Sequence, residues 1–256
     1  MISTTQIKFL KSLHKKKYRR IENKFLLEGY RIIDQALILN NNIEKIFITK
    51  KGGNSLLGRE IITKITNKNI NYEIVSDKII HQISDSLNHQ GIIALSKIPI
   101  YKKNKHLPEK SIYLDKISDP GNMGTILRTA AWFGIKSIFY SIDSVDPFNS
   151  KVVRSAMGAH FNFIHLEPIS NEQIFPNLKK NKIEIIGADI KGENILSINL
   201  SNYKKWCLVL GSESHGIDES TKSHLTKIVC IPGYSNIESL NVSVANGILL
   251  YNLLAH

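Results

Sequence analysis

The chain of 256 residues has a globular composition, with 42% hydrophobic and 22% charged residues. It has neither an apolar run long enough to cross a membrane nor an apolar stretch at its N-terminus, which argues against membrane and secreted proteins and predicts a cytoplasmic one. The net charge of +12 lies entirely in residues 1–106, which hold 20 Lys and Arg against 8 Asp and Glu, whereas residues 107–256 hold 14 of each.

The basic residues of the first part are densest between positions 8 and 31. Such a cluster favours a polyanionic partner, because each neutralised phosphate releases counterions and adds affinity. The alternative is a solvated lysine-rich face with no partner. The uneven division of charge along the chain favours nucleic acid, and the candidate contacts are Lys15, Lys16, Lys17, Arg19, Arg20 and Arg31.

Residues 1–104 predict a small α/β domain. Apolar periodicity indicates helices at about 5–20, 31–39, 55–67 and 77–86, and short β-branched runs indicate strands at 25–27, 43–49, 72–75 and 91–96. Residues 98–110 contain two prolines and several lysines without periodicity, which is typical of a linker. We therefore expect two domains, residues 1–104 and 105–256.

Residues 105–256 predict strands that alternate with loops and helices. The strands are expected at 111–115, 137–141, 161–165, 183–189, 206–210 and 228–231, and a helix is expected at 125–133 with Asn122 as its cap. Because the strands are apolar on both faces, they predict a mostly parallel sheet with helices on both faces.

Polar residues gather in three of the loops that follow strands. The first loop contains Asn122, with Arg128 in the helix after it; the second contains Ser212 and Glu213; the third carries Asn241. Loops that follow the strands of a parallel sheet open on the same edge, so these residues are expected to form one site.

Several common kinds of site are poorly supported, because their motifs are missing. The chain has no GxGxxG after a strand, no GxxxxGK[ST] and no GxSxG, which argues against a dinucleotide fold, an NTPase and a serine hydrolase. No histidine pairs with Cys, Asp or Glu at metal-ligand spacing, so no metal is predicted.

Three runs of the sequence resemble the motifs of one known family. The runs NMGTILRTA (122–130), LVLGSESHGI (208–217) and SLNVSVANGILLY (239–251) resemble, in order and spacing, the motifs of the SpoU family of RNA ribose 2′-O-methyltransferases, within the SPOUT class. The stretch FLLEGYRIIDQAL (25–37) is similar to part of that family's small substrate-binding domain, which is related in fold to a ribosomal RNA-binding protein.

The resemblance implies a fold feature, a cofactor and an assembly. It implies a deep trefoil knot in the C-terminal segment and a homodimer formed through the knot domain. It also implies S-adenosylmethionine as cofactor, bound by Leu210, Gly211, Ile231, Ser239 and Leu240.

Arg128 corresponds to the family's invariant arginine, which implies a catalytic role, with Asn122, Glu213 and Asn241 orienting it and the ribose. An arginine resists deprotonation, so a phosphate clamp that lowers the pKa of the ribose hydroxyl is the alternative to a base.

Three positions depart from the family pattern. Gly233 and Ser235 differ in the third motif and Ser214 differs in the second, so altered cofactor affinity is expected. Ribosomal RNA is favoured as substrate, because the chain ends soon after the last helix without a basic extension. The alternatives are transfer RNA, an RNA-binding paralogue without catalysis and an α/β nucleotide-binding hydrolase.

Overall fold

The computed structural model describes residues 2–39, 43–86, 89–101, 107–198, 203–234, 236 and 238–254. Contacts divide the chain into two compact units. The first unit is Met1–Ile100 with Asp146–Phe161, and the second unit is Tyr101–Val145 with Asn162–His256. This division places the boundary between residues 100 and 101, four residues before the expected one, and it assigns the internal segment 146–161 to the first unit.

The first unit is built on a mixed sheet of four strands: β1 (Lys24–Glu28), β2 (Ile43–Thr49), β3 (Asn71–Val75) and β4 (Ile92–Lys97). The order is β1-β4-β2-β3, with β2 and β3 parallel and β4 antiparallel to β1 and to β2. Its helices are α1 (Thr4–Ser12), α2 (Lys16–Glu22), α3 (Tyr30–Leu39), α4 (Lys50–Asn54), α5 (Leu56–Asn67) and α6 (Asp77–Ile83).

The expected basic helix at 5–20 is two helices. Helix α1 ends with Leu13 as its C-cap, and Lys15 adopts an extended conformation before α2 begins. Leu13 is buried, and the carbonyls of Leu13 and His14 accept hydrogen bonds from the guanidinium of Arg19. The break is therefore held by tertiary contacts that helical periodicity does not reveal.

Residues 146–161 belong to the first unit because their aromatic and charged side chains find partners there. The segment contains α8 (Ser150–Ala156) and leads into a 3₁₀ turn, Ala159–Asn162. The rings of Phe148 and Phe161 pack on Phe25 of β1, with centroid distances of 5.0 and 6.3 Å. A strand expected at 161–165 is thus replaced by the 3₁₀ turn, and strand β7 begins only at His165.

The second unit contains a six-stranded sheet in which every pairing is parallel. Its strands are β5 (Lys110–Leu114), β6 (Ser137–Tyr140), β7 (His165–Pro168), β8 (Glu184–Asn194), β9 (Trp206–Leu210) and β10 (Lys227–Cys230), in the order β10-β8-β9-β5-β6-β7. Its helices are α7 (Pro120–Trp132), α9 (Asn171–Lys180), α10 (Glu219–Lys222) and α11 (Val242–Leu254). The predicted α/β fold with a mostly parallel sheet and a separate N-terminal α/β domain is confirmed.

The C-terminal part of the second unit returns to the middle of the sheet. Strand β9 lies between β8 and β5, and β10 forms the edge beyond β8. Helix α11 follows that edge strand, yet it packs on α7, which follows the central strand β5. Within the described residues, no helix is both long and apolar enough to span a bilayer.

Candidate active site at the carboxyl edge of the parallel sheet

Helix α7 begins earlier than its apolar periodicity predicts, and a different residue caps it. Asp119 is the N-cap, its carboxylate Oδ1 accepts the backbone N–H of Asn122 at 2.8 Å, and Pro120 occupies the first turn. Proline is favourable there because the first turn has no intrahelical partner for its missing N–H. The prediction that Asn122 caps the helix is therefore wrong, and its side chain is available for other contacts.

Asn122 joins the second and third loops. Its amide Nδ2 donates to Glu213 Oε1 at 2.6 Å, and its Oδ1 accepts from Asn241 Nδ2 at 2.9 Å. Asn241 Oδ1 in turn accepts hydrogen bonds from the backbone N–H and the hydroxyl of Ser243, at 2.9 and 2.6 Å. Three of the four predicted catalytic residues thus form one hydrogen-bonded chain, and each comes from a different motif.

The fourth residue, Arg128, lies in the third turn of α7 and is exposed. No ion pair or hydrogen bond of its guanidinium occurs within the described part of the chain. Arg128 shares an exposed helix face with Thr125 and Trp132, and the side chain of Trp132 is 86% exposed. The structure therefore leaves the guanidinium outside the Asn122 hydrogen-bonded chain.

The second loop, residues 211–218, is closed by its own main chain. Ser212 and Gly216 exchange two backbone hydrogen bonds of 2.9 Å, and Gly216 has φ +68°. A Cβ at Gly211 would lie 2.1 Å from the carbonyl carbon of Gly216. Gly211 is thus needed for the fold of the loop itself, in addition to its predicted role beside the cofactor.

A buried carboxylate anchors the far end of the same loop. Asp115, at the end of β5, is 2% exposed, and its Oδ2 accepts the backbone N–H of Asp218 at 2.9 Å. Lys116 places Nζ 2.5 Å from Asp218 Oδ2. Burial raises the pKa of Asp115, whereas the Lys116 ammonium holds the pKa of Asp218 well below its ordinary value.

Sequence reasoning missed the roles of Asp115 and Lys116. Their position directly after β5 was the available signal, because it places them at the same edge of the sheet as the site.

The third loop, between β10 and α11, has few contacts at its described positions. Among the described residues beyond its chain neighbours, none places an atom within 4 Å of the position of a Cβ at Gly233, and Tyr234 is 97% exposed. Ser239 and Leu240 are also exposed, whereas Ile231 is half-buried. The predicted departure at Ser235 lies outside the described residues.

The candidate cofactor residues lie at the ends of β9 and β10. Leu210 and Gly211 are buried where β9 ends, and Ile231 follows β10 directly. Ser214, the departure in the second motif, is exposed, and its hydroxyl lies 2.7 Å from the ring Nδ1 of His215.

The basic candidates of the first unit require one correction. The five that are exposed are Lys15, Lys16, Lys17, Arg20 and Arg31. Arg19 is only 3% exposed, and its guanidinium donates to Asp146 as well as to the two carbonyls at the α1–α2 break. Its charge is used inside the fold, so Arg19 is withdrawn from the predicted nucleic-acid contacts.

The second unit is a parallel α/β sheet with a polar site at its carboxyl edge, and the first is a basic α/β unit. Each part matches a known family. Residues 109–251 match the model of the SpoU rRNA Methylase family, and residues 4–94 match that of the MRM3-like substrate binding domain. The chain belongs to the SpoU rRNA methylase family.

Two relatives and one solved structure show the extent of the similarity. The 23S rRNA (guanosine(2553)-2′-O)-methyltransferase RlmP of Bacillus subtilis is 27% identical, over 97% of this chain and 95% of the relative. The 23S rRNA (guanosine-2′-O-)-methyltransferase RlmB of Neisseria meningitidis is 30% identical, over 87% and 91%. The structure of the SpoU methyltransferase AviRb from Streptomyces viridochromogenes with AdoMet bound has a TM-score of 0.87 and covers 99% and 98%; at 18% identity it shows the fold.

Proposed function

We propose that this protein transfers the methyl group of S-adenosylmethionine to the 2′-oxygen of a ribose in structured RNA, and that the RNA is ribosomal. The observation that carries the proposal is the hydrogen-bonded chain Glu213–Asn122–Asn241, which draws one residue from each family motif to one edge of the sheet. The named relatives, both of which methylate 23S ribosomal RNA at the 2′-oxygen of guanosine, support ribosomal RNA over transfer RNA.

The residues present fit the cofactor. The loop that follows β10 holds the apolar residues Ile231 and Leu240, and Gly233 and Ser239 of the same loop are exposed. When bound there with Leu210 and Gly211, S-adenosylmethionine would supply an activated methyl group on a sulfonium. Main-chain donors and acceptors suit an adenosine because they recognise its edge without a charged side chain.

The protein's own task in this reaction is to align the ribose hydroxyl and to favour loss of its proton. Asn122 is fixed from both sides, by Glu213 and by Asn241, so its amide is oriented before substrate binds. Glu213 and Asn241 are exposed and can accept or donate towards a ribose.

Arg128 is assigned the role of phosphate clamp. Its guanidinium is exposed and without a described partner, so it can donate two hydrogen bonds to a phosphate beside the target ribose and lower the pKa of the hydroxyl electrostatically. A role as base would require deprotonation of a guanidinium, whose pKa exceeds about 12 in general.

The RNA-binding surface of the first unit is proposed to centre on α2. Lys15, Lys16, Lys17 and Arg20 are exposed there, and Arg31 adds a further cation on α3. The exposed side chains of α2 also include Tyr18, 39% exposed, which offers an aromatic face for an unpaired base.

The return of α11 from the edge strand to α7 supports a trefoil knot in residues that follow β9. The exposed apolar side chains of Trp132, Val244 and Tyr251 support a homodimer through these helices. We place the enzyme in the cytoplasm, where a bacterial ribosomal substrate is found.

The test is methyl transfer by the full chain. Purified protein is incubated with S-adenosylmethionine carrying a labelled methyl group and with a 23S rRNA transcript or, separately, a transfer RNA pool. We expect label at a single 2′-oxygen of the 23S transcript, mapped by resistance of the next phosphodiester bond to alkali. Label on transfer RNA alone would reverse the substrate assignment.

The non-catalytic alternative is separated by calorimetry. A protein that binds the transcript but shows no heat of binding with millimolar S-adenosylmethionine, and no transfer, would be an RNA-binding module instead.

A further inference from the structure

The first unit contains an open cleft whose lining residues are separate in sequence from the basic helix α2. Its volume is about 530 Å³, and it lies where the parallel strands β2 and β3 end. The lining residues are Thr49, Lys50, Lys51, Asn54, Val75, Ser76 and Asp77. Ligands of α/β folds commonly bind outside the carboxyl ends of parallel strands, which makes this edge the natural place for a second site.

We propose that this cleft holds one unpaired nucleotide of the RNA substrate, with its phosphate on the lysines and its base on the polar side chains opposite. The inference rests on the proposed function for the identity of the polymer, but it concerns residues that none of the family motifs includes.

The first observation that supports a phosphate site is the state of the two lysines of the cleft. Lys50 and Lys51 are exposed, and neither forms an ion pair or a side-chain hydrogen bond within the described ranges. Two lysines elsewhere in the first unit are paired, Lys45 with Glu73 and Lys64 with Asp34. Both lysines line the same cleft, so a phosphate bound in it would be stabilised by positive charge from each.

The backbone beneath the lysines is held in place, which is the second support. Thr49 Oγ1 accepts the N–H of Gly52 at 2.9 Å, and the hydroxyl of Ser55 donates to the Gly52 carbonyl at 2.6 Å. A Cβ at Gly52 would lie 2.8 Å from the hydroxyl of Tyr30, and one at Gly58 would lie 2.0 Å from the Gly52 carbonyl. A segment packed this closely fixes the backbone from which the lysines project, which reduces the backbone entropy lost on binding.

The opposite wall supplies groups that suit a base. The Ser76 hydroxyl does not cap α6, so it remains available, and Asp77 is exposed without a described ion pair. With the amide of Asn54, these groups can donate to and accept from a base edge, and Val75 gives an apolar floor. A carboxylate would not be expected in a site for phosphate alone.

The openness of the cleft favours a polymer over a free metabolite. A small-molecule site generally encloses most of its ligand, whereas a cleft open to solvent can receive one residue of a chain that continues on both sides. The excess positive charge of residues 1–106 favours RNA over an acidic protein segment because it extends well beyond this cleft.

The central test compares two double variants of the full chain that lose the same charge. Lys50→Ala/Lys51→Ala alters the cleft, and Lys179→Ala/Lys180→Ala alters an adjacent pair of exposed lysines at the end of α9. Binding to a 23S rRNA transcript is measured from about 0.05 to 0.3 M salt, with thermal unfolding as the check that both variants fold.

We expect the cleft variant to lose about 10-fold in affinity and to lower the slope of log K against log salt by up to about 2, since two phosphate-binding cations are removed. The control is expected to stay within about 2-fold of the parent. Equal losses in the two variants would overturn the proposal, because they would reflect net charge alone.

A second measurement locates the contact. Photo-cross-linking of a 4-thiouridine-substituted transcript, followed by peptide mapping, is expected to label residues 50–54 or 75–77. Asp77→Ala is expected to lower affinity, because it removes a base contact; a rise in affinity would show a phosphate-only site and contradict the assignment of a base.

The result is separable from that of the proposed function. If the protein binds RNA through the cleft but transfers no methyl group, the cleft stands and the enzymatic proposal fails. If methyl transfer occurs and Lys50→Ala/Lys51→Ala matches its control, the enzyme stands and the cleft fails.

Discussion

The two loops that flank Asn122 differ in how they are held. The second loop, residues 211–218, is closed by two backbone hydrogen bonds and anchored by the buried Asp115. The third loop is exposed at Gly233 and Tyr234, and no described residue beyond the chain neighbours approaches the Cβ position of Gly233 within 4 Å. One wall of the site is therefore formed in advance, whereas the other leaves main-chain groups open for a ligand to contact.

The two loops are therefore expected to have different roles when substrates bind. A wall that is already rigid loses little entropy on binding and can orient the groups that act on the ribose. A wall whose described residues are exposed gains its contacts from the ligand itself. Residues of the two walls should therefore respond differently to matched changes.

The largest effect is expected at Arg128, which belongs to neither loop. Arg128→Ala is predicted to reduce the rate of methyl transfer by about 100-fold or more, because it removes the charge proposed to hold the phosphate beside the ribose. S-adenosylmethionine affinity, measured by calorimetry, should not change. Thr125→Ala, on the same exposed helix face, is the control. Normal transfer by Arg128→Ala with both substrates bound would refute the clamp.

The next largest effect is expected at the closed loop. Gly211→Ala places a Cβ against the Gly216 backbone, so the loop must open. We predict a loss of about 3 kcal/mol in the free energy of unfolding, measured by urea denaturation, together with weaker cofactor binding. An unchanged unfolding midpoint would show that the loop is not rigid in solution.

Asn122→Asp tests the link between the loops. The substitution replaces the amide that donates to Glu213 with a carboxylate, so two negative charges meet where a 2.6 Å hydrogen bond stood. We expect the rate of methyl transfer to fall about 10-fold at neutral pH and to recover in part as the pH falls and the pair gains a proton. Asn177→Asp makes the same chemical change at an exposed position of α9, away from the site. It should leave the rate of methyl transfer unchanged.

Asp115→Asn tests the anchor through pH. The native pKa of Asp115 is raised by burial, so its contribution to stability is present below the ordinary pKa and is lost as the pH rises through the native value. The substituted amide would keep an acceptor for the Asp218 N–H without a charge. The stability of the variant relative to the parent should therefore increase as the pH rises through that range, as followed by urea unfolding at several pH values. A constant difference would argue against a buried, titrating anchor.

The smallest effect is expected at the open loop. Gly233→Ala meets no atom of the described residues beyond its chain neighbours within 4 Å, and Gly233 does not have a positive φ. The unfolding free energy should therefore change by less than about 0.5 kcal/mol. Gly233→Ala is also the matched partner of Gly211→Ala. A loss similar to that of Gly211→Ala would remove the contrast between the two walls.

Much of this arrangement follows from local patterns. Apolar strands each followed by a polar loop predict a parallel sheet, and a parallel sheet brings the loops to one edge. That reasoning anticipated the meeting of Asn122, Glu213 and Asn241, although they lie far apart in the chain.

Other features depend on contacts that no local pattern encodes. Asp119 and Asn122 are both good helix caps, and which one caps is decided by where α7 meets the site. Arg19 looks like its exposed neighbours in sequence, but its position on α2 points it at Asp146, 127 residues away. Tertiary contacts therefore decided its role.

The place of residues 146–161 has a practical consequence for dissecting the protein. These residues lie between β6 and β7, yet Asp146 and Phe148 find their partners in the first unit. A cut of the chain near residue 100 would therefore leave two fragments that share a folded piece. A C-terminal fragment made alone would carry Phe148 and Phe161 without Phe25 to cover them. RNA binding and methyl transfer are therefore better studied with point variants of the whole chain than with truncated fragments.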